Sequence, residues 1–263
     1  MKQSVSVFML MLQSIWKKIL LILVIMVAAE SILFLMASRK FLWVEDILDA
    51  SRISWVFYGA LLLFLTVLCL VRSGSSHPVY TLQRLALTGQ QILRIQMLSN
   101  LFCLLLLWAV QLVTALLLIK IYLSGQSSSA EHQLDFCGQS LFLAFRRSEF
   151  LHGLFPMDDL TRWMRNVVLI CCMAAVCAYG SFTYEKGKFP VSSFLLAVPA
   201  IVFFEMEMGR ILADSLLSAF ALTVVLILHR GLPSGNPFAE SDTIGYYDPA
   251  DTAITPEELE VMK

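Results

Sequence analysis

The chain has 263 residues, of which 58% are hydrophobic and only 15% are charged, and its formal net charge is −1. With a mean hydropathy of +0.76, it is far more apolar than a soluble globular domain, and in so apolar a chain the positions of the charges matter more than their sum. The apolar residues form separate stretches, each close to the ~20 residues that cross a bilayer core as a helix. We therefore expect an all-α polytopic membrane protein that binds no nucleic acid.

We predict six transmembrane helices within one membrane domain, residues 19–230. The predicted spans are 19–36, 55–71, 98–122, 167–182, 191–204 and 211–228. The fifth span is short and carries Pro190 and Pro199, and proline bends a helix by removing a backbone donor. Only residues 205–210 separate the fifth and sixth spans. Two interpretations remain open for this pair: two short spans joined by a tight turn, or a broken, partly re-entrant pair.

The segments outside the spans predict how the chain is oriented. Residues 1–18 mix apolar and polar side chains, which is typical of a segment in the membrane interface. The loop after the second span contains three arginines and no acidic residue, which favours cytoplasmic N- and C-termini. We predict a long outer loop at residues 123–166. The tail, residues 231–263, is rich in Gly, Pro, Ser and acidic residues, and we predict a disordered acidic cytoplasmic tail.

The loop between the second and third spans contains a helical pattern. Leu82, Leu85, Ile92 and Leu93 recur at spacings of three and four residues, with polar residues between them. This predicts an amphipathic helix, at about residues 80–95, along the cytoplasmic membrane face. Its arginines could bind anionic lipid headgroups, or the helix could dock a soluble partner, and the periodicity is compatible with both.

Ionisable groups inside a membrane span are costly and mark functional sites by default. Glu30 lies deep in the first span, Gln111 lies in the third, and Asp214 lies one turn into the sixth. We predict that these three residues form a pathway or polar network. Alternatively, Glu30 is protonated and hydrogen-bonded to a neighbouring helix, and Asp214 reaches the outer interface.

Several kinds of catalytic site lack their sequence motifs. The chain contains no GxxxxGK[ST] for a P-loop, no HExxH and no GxSxG. Five of the six cysteines lie in predicted spans, where a thiol behaves as a small hydrophobe, and no metal-binding spacing occurs. We therefore expect no enzyme activity, no catalytic residues, no metal and no cofactor on this chain.

Six spans, cytoplasmic termini and an inner-face amphipathic segment resemble the ABC-2 type permease family. Tyr80–Ile92, Leu101–Leu118 and Phe150–Asn166 resemble bacterial permeases of this kind. The resemblance implies a membrane subunit of an ATP-driven exporter in the bacterial plasma membrane, surrounded by membrane lipid. A cytoplasmic ATP-binding cassette subunit would supply the energy, and a second permease chain, identical or related, would complete the pathway.

In that family, the helix after the second span is a coupling helix that inserts into the ATP-binding subunit. The resemblance implies that the corresponding contact residues here are Thr81, Gln83, Arg84, Leu85, Gln91 and Arg94. The chain departs from the family in its long outer loop, which lies between spans three and four instead of spans five and six. An accessory, immunity-type or regulatory membrane protein is the main alternative, and a self-contained channel or carrier is a third.

Overall fold

A computed structural model describes residues 2–40, 44–70, 89–126, 142–143, 145–156, 159–185, 197–198, 201 and 211–230. Regular structure in these ranges is entirely helical. The helices are α1 (Lys2–Ser38), α2 (Val44–Ser51), α3 (Ile53–Leu70), α4 (Gly89–Gln126), α5 (Glu149–Leu154), α6 (Leu160–Glu185) and α7 (Ile211–Arg230).

Four of the helices are long and apolar enough to cross a membrane. The candidate spans are Ile15–Ser38 in α1, Ile53–Leu70 in α3, Gln90–Gly125 in α4 and Leu160–Ser181 in α6. In α7, the apolar stretch Leu212–Leu228 is shorter. The prediction of a helical membrane protein is confirmed, and the first four predicted spans correspond to these four stretches. Most of the predicted fifth span, residues 191–204, lies outside the described residues, as does the tail at 231–263.

Two helices extend beyond the spans predicted for them. α1 begins at Lys2, so the predicted interfacial segment and the first span form one helix of 37 residues. α4 begins at Gly89 and has 38 residues, so the described part of the predicted amphipathic helix, 89–95, continues directly into the third span. Neither helix contains an internal proline that would break it. A helix of this length reaches ~57 Å at ~1.5 Å per residue, well beyond a ~30 Å hydrocarbon core.

Helix α6 is at the centre of the bundle. The share of its apolar stretch that is buried is 78%, against 28% for α1, 50% for α3 and 39% for α4. It contacts α3, α4 and α7. Ala174, Ala175 and Ala178 of α6 are all buried, and such small side chains let neighbouring helices approach closely.

The contacts of α6 define the directions of its neighbours. Asn100 of α4 donates a hydrogen bond to the Ala174 carbonyl at 3.3 Å, while Ile92, earlier in α4, packs near Tyr179, later in α6. α4 and α6 are therefore antiparallel. We call the end of the bundle where α4 begins the proximal end, and the end where α4 finishes the distal end.

Helix α7 runs parallel to α6. At the distal end, Arg165 of α6 contacts Asp214 of α7. At the proximal end, Val225 of α7 packs against the cluster that contains Ala178 of α6. The connection at 186–210 consequently starts at one end of the bundle and finishes at the other.

The bundle surface is apolar, as expected of a lipid-facing surface. Large hydrophobic side chains are exposed on the outer faces of α1, α4 and α7. They include Leu21, Ile25, Leu117, Ile121, Leu216 and Ile227. The inner faces form a central hydrophobic cluster, which includes Met26, Phe64 and Leu107, and a distal cluster, which includes Phe34 and Ala115.

Candidate functional site

Glu30 and Gln111 are buried polar residues that face each other from α1 and α4. Both are 0% exposed, and the two helices that carry them pack against each other. Within the described residues, neither the two carboxyl oxygens nor the two amide atoms have a partner in hydrogen-bonding geometry. Buried polar groups are hydrogen-bonded in the great majority of cases, so four such atoms at one place mark this pair as a candidate site.

The pair lies at the junction of the two hydrophobic clusters. On α1, Glu30 is one turn from Met26 of the central cluster and one turn from Phe34 of the distal cluster. On α4, Gln111 occupies the same position between Leu107 and Ala115. Numbering increases in the same direction on both helices, so α1 and α4 are parallel and the two polar side chains lie at the same depth. The apolar surroundings make a charge at this position expensive.

A second group of polar side chains lies on α4 near its proximal end. Gln96, Ser99 and Asn100 are all buried, and their spacing of three and four residues puts them on one helix face. Asn100 donates to the Ala174 carbonyl of α6. No described residue partners the side-chain amide of Gln96 or the hydroxyl of Ser99. The buried face of α4 therefore carries polar groups at two levels, one at 96–100 and one at Gln111.

Asp214 is in an ion pair at the distal end and is separate from the Glu30 and Gln111 pair. The Arg165 Nη1 donates to Asp214 Oδ1 at 2.7 Å, and the two side chains are only 5% and 4% exposed. Arg165 also donates through Nε and Nη2 to Asn166 Oδ1, at 3.1 and 3.0 Å. A guanidinium with three such bonds is well compensated for its loss of water.

Asn166 connects this ion pair to the short helix α5. Its Nδ2 donates to the carbonyls of Gly153 at 2.9 Å and Leu154 at 3.3 Å. These carbonyls belong to the last turn of α5, and the last carbonyls of a helix have no N–H donor within the helix. At the other end of α5, the Ser148 hydroxyl accepts from the Leu151 backbone at 3.5 Å. The network therefore holds α5, α6 and α7 together at the distal end.

Asp159 caps the N-terminus of α6. The Thr161 backbone donates to Asp159 Oδ1 at 2.9 Å, which makes Asp159 the N-cap of α6. Hydrogen bonds from Thr161 lower the pKa of the Asp159 carboxyl below its ordinary value, and the nearby Arg162 lowers it further. Arg162 and Asp159 form a partly exposed ion pair at 3.5 Å, with side chains 15% and 38% exposed.

A cavity of about 400 Å³ lies near the distal end, between α3, α4 and α5. Its lining includes Arg52, Tyr58, Ala115 and Phe150. The ring of Phe150 in α5 packs edge-on against Tyr58 of α3, with ring centroids 6.0 Å apart. A volume of ~400 Å³ falls within the usual range for small-molecule pockets. Arg52 has φ of 50° and forms the turn between α2 and α3.

The coupling residues implied by the resemblance are only partly described. Thr81, Gln83, Arg84 and Leu85 lie outside the described residues. Gln91 and Arg94 are exposed on the first turns of α4. Ile92 and Leu93, between them, are 1% and 7% exposed and pack against α6 and α7.

Sequence reasoning placed Glu30, Gln111 and Asp214 in one candidate network, and the structure brings only the first two together. It also did not single out Arg165 or Asn166, because both were assigned to the outer loop. One signal for this pair was present in the sequence: Arg165 lies just before one predicted span and Asp214 lies near the start of another, so both charges are close to a span end.

Comparison of the chain with protein-family models, with curated proteins and with solved structures gives no match.

Proposed function

We propose that this chain is the membrane-spanning permease subunit of an ABC-type exporter in a bacterial plasma membrane. A separate ATP-binding cassette subunit hydrolyses ATP, and a second permease chain, identical or related, completes the pathway. The helical bundle with an apolar outer surface supports a membrane subunit. The missing P-loop motif is the reason to assign ATP binding to another chain.

The directions of the helices support six crossings in this proposal. Because α6 and α7 are parallel, the connection at 186–210 has to pass from the proximal to the distal end. Ala197, near the middle of that connection, is 0% exposed and belongs to the central cluster, and Ile201 packs against the same cluster. With this crossing and α7 added to the four candidate spans, the total is six. Six crossings would agree with the proposed cytoplasmic location of both termini, because an even number of crossings returns the chain to the side on which it started.

The observation that carries the proposal is that α4 runs without a break from Gly89, inside the predicted coupling helix at 80–95, into the bundle. Arg94 and Gln91 are exposed, whereas Ile92 and Leu93 are buried against α6 and α7. A partner that contacts the exposed face at 89–95 would therefore move the proximal ends of three helices. Since α4 continues unbroken past Gln111, the same movement would reach the buried polar pair.

The first experiment tests whether the proximal end of α4 binds an ATPase. The tagged chain is purified from native membranes, and the retained proteins are tested for a P-loop sequence and for ATP hydrolysis. We expect Arg84→Asp and Arg94→Asp to remove the retained ATPase. Lys120→Asp is the matched control, because Lys120 is also exposed on α4 but lies at the distal end.

The outcomes separate the proposal from its alternatives. ATPase retention that is unchanged in Arg84→Asp and Arg94→Asp would show that the coupling assignment is wrong. A chain that retains no ATPase under any condition would favour the accessory or immunity-type protein. Flux in liposomes that contain only this chain would favour the channel or carrier.

A further inference from the structure

The Glu30 and Gln111 side chains form the one fully buried pair of facing acid and amide groups in the described part of the bundle. Both are 0% exposed, and their four polar atoms have no partner in hydrogen-bonding geometry among the described residues. A carboxyl group in such a place needs compensation for its loss of contact with water. The question is whether that compensation is a cationic side chain, a bound metal ion or a proton.

Among the described residues, no cationic side chain of α1 or α4 lies close to Glu30. α1 contacts α2, α3 and α4. Lys17 and Lys18 of α1 are exposed, and Lys18 is twelve residues before Glu30, or about 18 Å along the helix. In α4, Arg94 and Lys120 are exposed, and Lys120 is about 14 Å along the helix from Gln111.

The remaining two helices supply no cation either. α3 contains no Lys, Arg or His, and its ionisable groups are Tyr58 and Cys69. α2 carries only the acidic residues Glu45, Asp46 and Asp49.

A metal ion fits the pair poorly. Hard divalent cations take about six or more oxygen ligands. Here the two facing side chains offer a carboxyl group and one amide oxygen. No group of three or more His, Cys, Asp and Glu side chains that could hold a metal is present among the residues described.

A proton fits the pair well, because a neutral carboxylic acid and a primary amide are complementary. The acid offers one O–H donor and one carbonyl acceptor, and the amide offers a carbonyl acceptor and N–H donors. Facing each other, they can form two reciprocal hydrogen bonds. An ionised carboxylate has no donor, so the amide oxygen of Gln111 would stay unpaired and the buried charge would stay uncompensated. The terminal torsions of Glu and Gln are broad, so small rotations allow the two groups to meet.

We propose that Glu30 and Gln111 form a proton-binding site inside the membrane bundle. The protonated Glu30 carboxyl donates to Gln111 Oε1 and accepts from Gln111 Nε2, and this closes the contact between α1 and α4 at the junction of the two hydrophobic clusters. Losing the proton requires an opening of this contact that admits water or a cationic group. The inference concerns protonation and packing only and does not rest on the proposed function.

Infrared spectroscopy of the purified full-length chain in lipid nanodiscs at neutral pH tests the site. The carbonyl stretch of a protonated carboxylic acid is separate from the stretches of a carboxylate. We expect wild-type protein to show the protonated band, Glu30→Gln to lose it, and Gln111→Leu to shift it to higher frequency through loss of a hydrogen bond. Asp46→Asn is the matched control, because Asp46 is exposed and its substitution should leave the protonated band unchanged.

The Glu30→Gln variant is suited to this test because an amide can still exchange two hydrogen bonds with Gln111 and keep the packing. If Glu30→Gln removes only carboxylate absorbance, Glu30 is ionised and the proposal is overturned. If Gln111→Leu leaves the protonated band at its wild-type frequency, the amide does not bind the acid and the pairing is wrong. An ATPase partner is not needed for any of these measurements, so the proposed function can fail without affecting this result, and the reverse also holds.

Discussion

The ion pair between Arg165 and Asp214 gives the most direct test of the packing at the distal end. We predict that Arg165→Met strongly destabilises the bundle, because it leaves the Asp214 carboxylate buried without its cation. The distance between Nη1 and Oδ1 is 2.7 Å, and the side chains are 5% and 4% exposed. Removing one member of a buried ion pair costs about 3–5 kcal/mol. Arg165→Met also removes two hydrogen bonds to Asn166.

A matched control is available one turn earlier on the same helix. Arg162 pairs with Asp159 at 3.5 Å, and the Asp159 side chain is 38% exposed. The Arg162 side chain is 15% exposed, so this pair keeps more contact with solvent than the Arg165 pair does, and solvent-exposed pairs contribute about 0–1 kcal/mol. Arg162→Met makes the same chemical change as Arg165→Met, three residues away. We therefore expect a difference of at least ~2 kcal/mol between the two variants, since burial decides the cost.

The measurement is denaturant unfolding in detergent micelles, monitored by the loss of the helical circular dichroism signal. It is made on Arg165→Met, Asp214→Leu and the double variant. The double variant replaces both charges and leaves no buried charge. Its loss of unfolding free energy should therefore be smaller than the sum of the two single-variant losses by at least ~2 kcal/mol. Equal losses for Arg162→Met and Arg165→Met would refute this reasoning. Strict additivity of the two single losses would refute the direct interaction.

Three further predictions follow from other contacts. Asn166→Leu should cost about 1–3 kcal/mol in the same unfolding assay, because it unpairs the last carbonyls of α5; an unchanged midpoint would contradict this. Phe64→Ala should cost about 3–5 kcal/mol, while Leu63→Ala, at a 58% exposed and lipid-facing position, should cost much less. The lowered pKa of Asp159 stabilises the fold above the carboxyl's unfolded-state pKa, and this contribution is lost as pH falls through the folded-state pKa. Asp159→Asn should flatten that part of the stability-against-pH curve.

The helices could be predicted from the sequence because each depends on its own composition. The stretches at 19–36, 55–71, 98–122 and 167–182 are apolar runs of bilayer length, and the structure has candidate spans at all four. The starts of α1 and α4 could not be predicted in this way. The composition becomes more polar where each helix leaves the apolar stretch, but the backbone continues as one helix.

Only some residues of the candidate site could be predicted from the sequence. Glu30 and Asp214 stood out, because an acidic residue in an apolar helix needs a partner. Gln111 was in the predicted network with Glu30, but the partner of Asp214 was not predicted, because Arg165 and Asp214 are 49 residues apart in the chain and meet only through the packing of α6 on α7.

The amino-acid sequence by itself determined that this chain forms apolar helices of membrane length and that a few of them carry polar groups needing compensation. The tertiary structure decided which polar groups meet: Gln111 faces Glu30, and Arg165 binds Asp214. The physical reason is that helix formation and membrane insertion follow from local hydrogen bonding and local hydrophobicity. The pairing of buried polar groups depends instead on which helix faces meet and at what depth, and that is a property of the whole bundle.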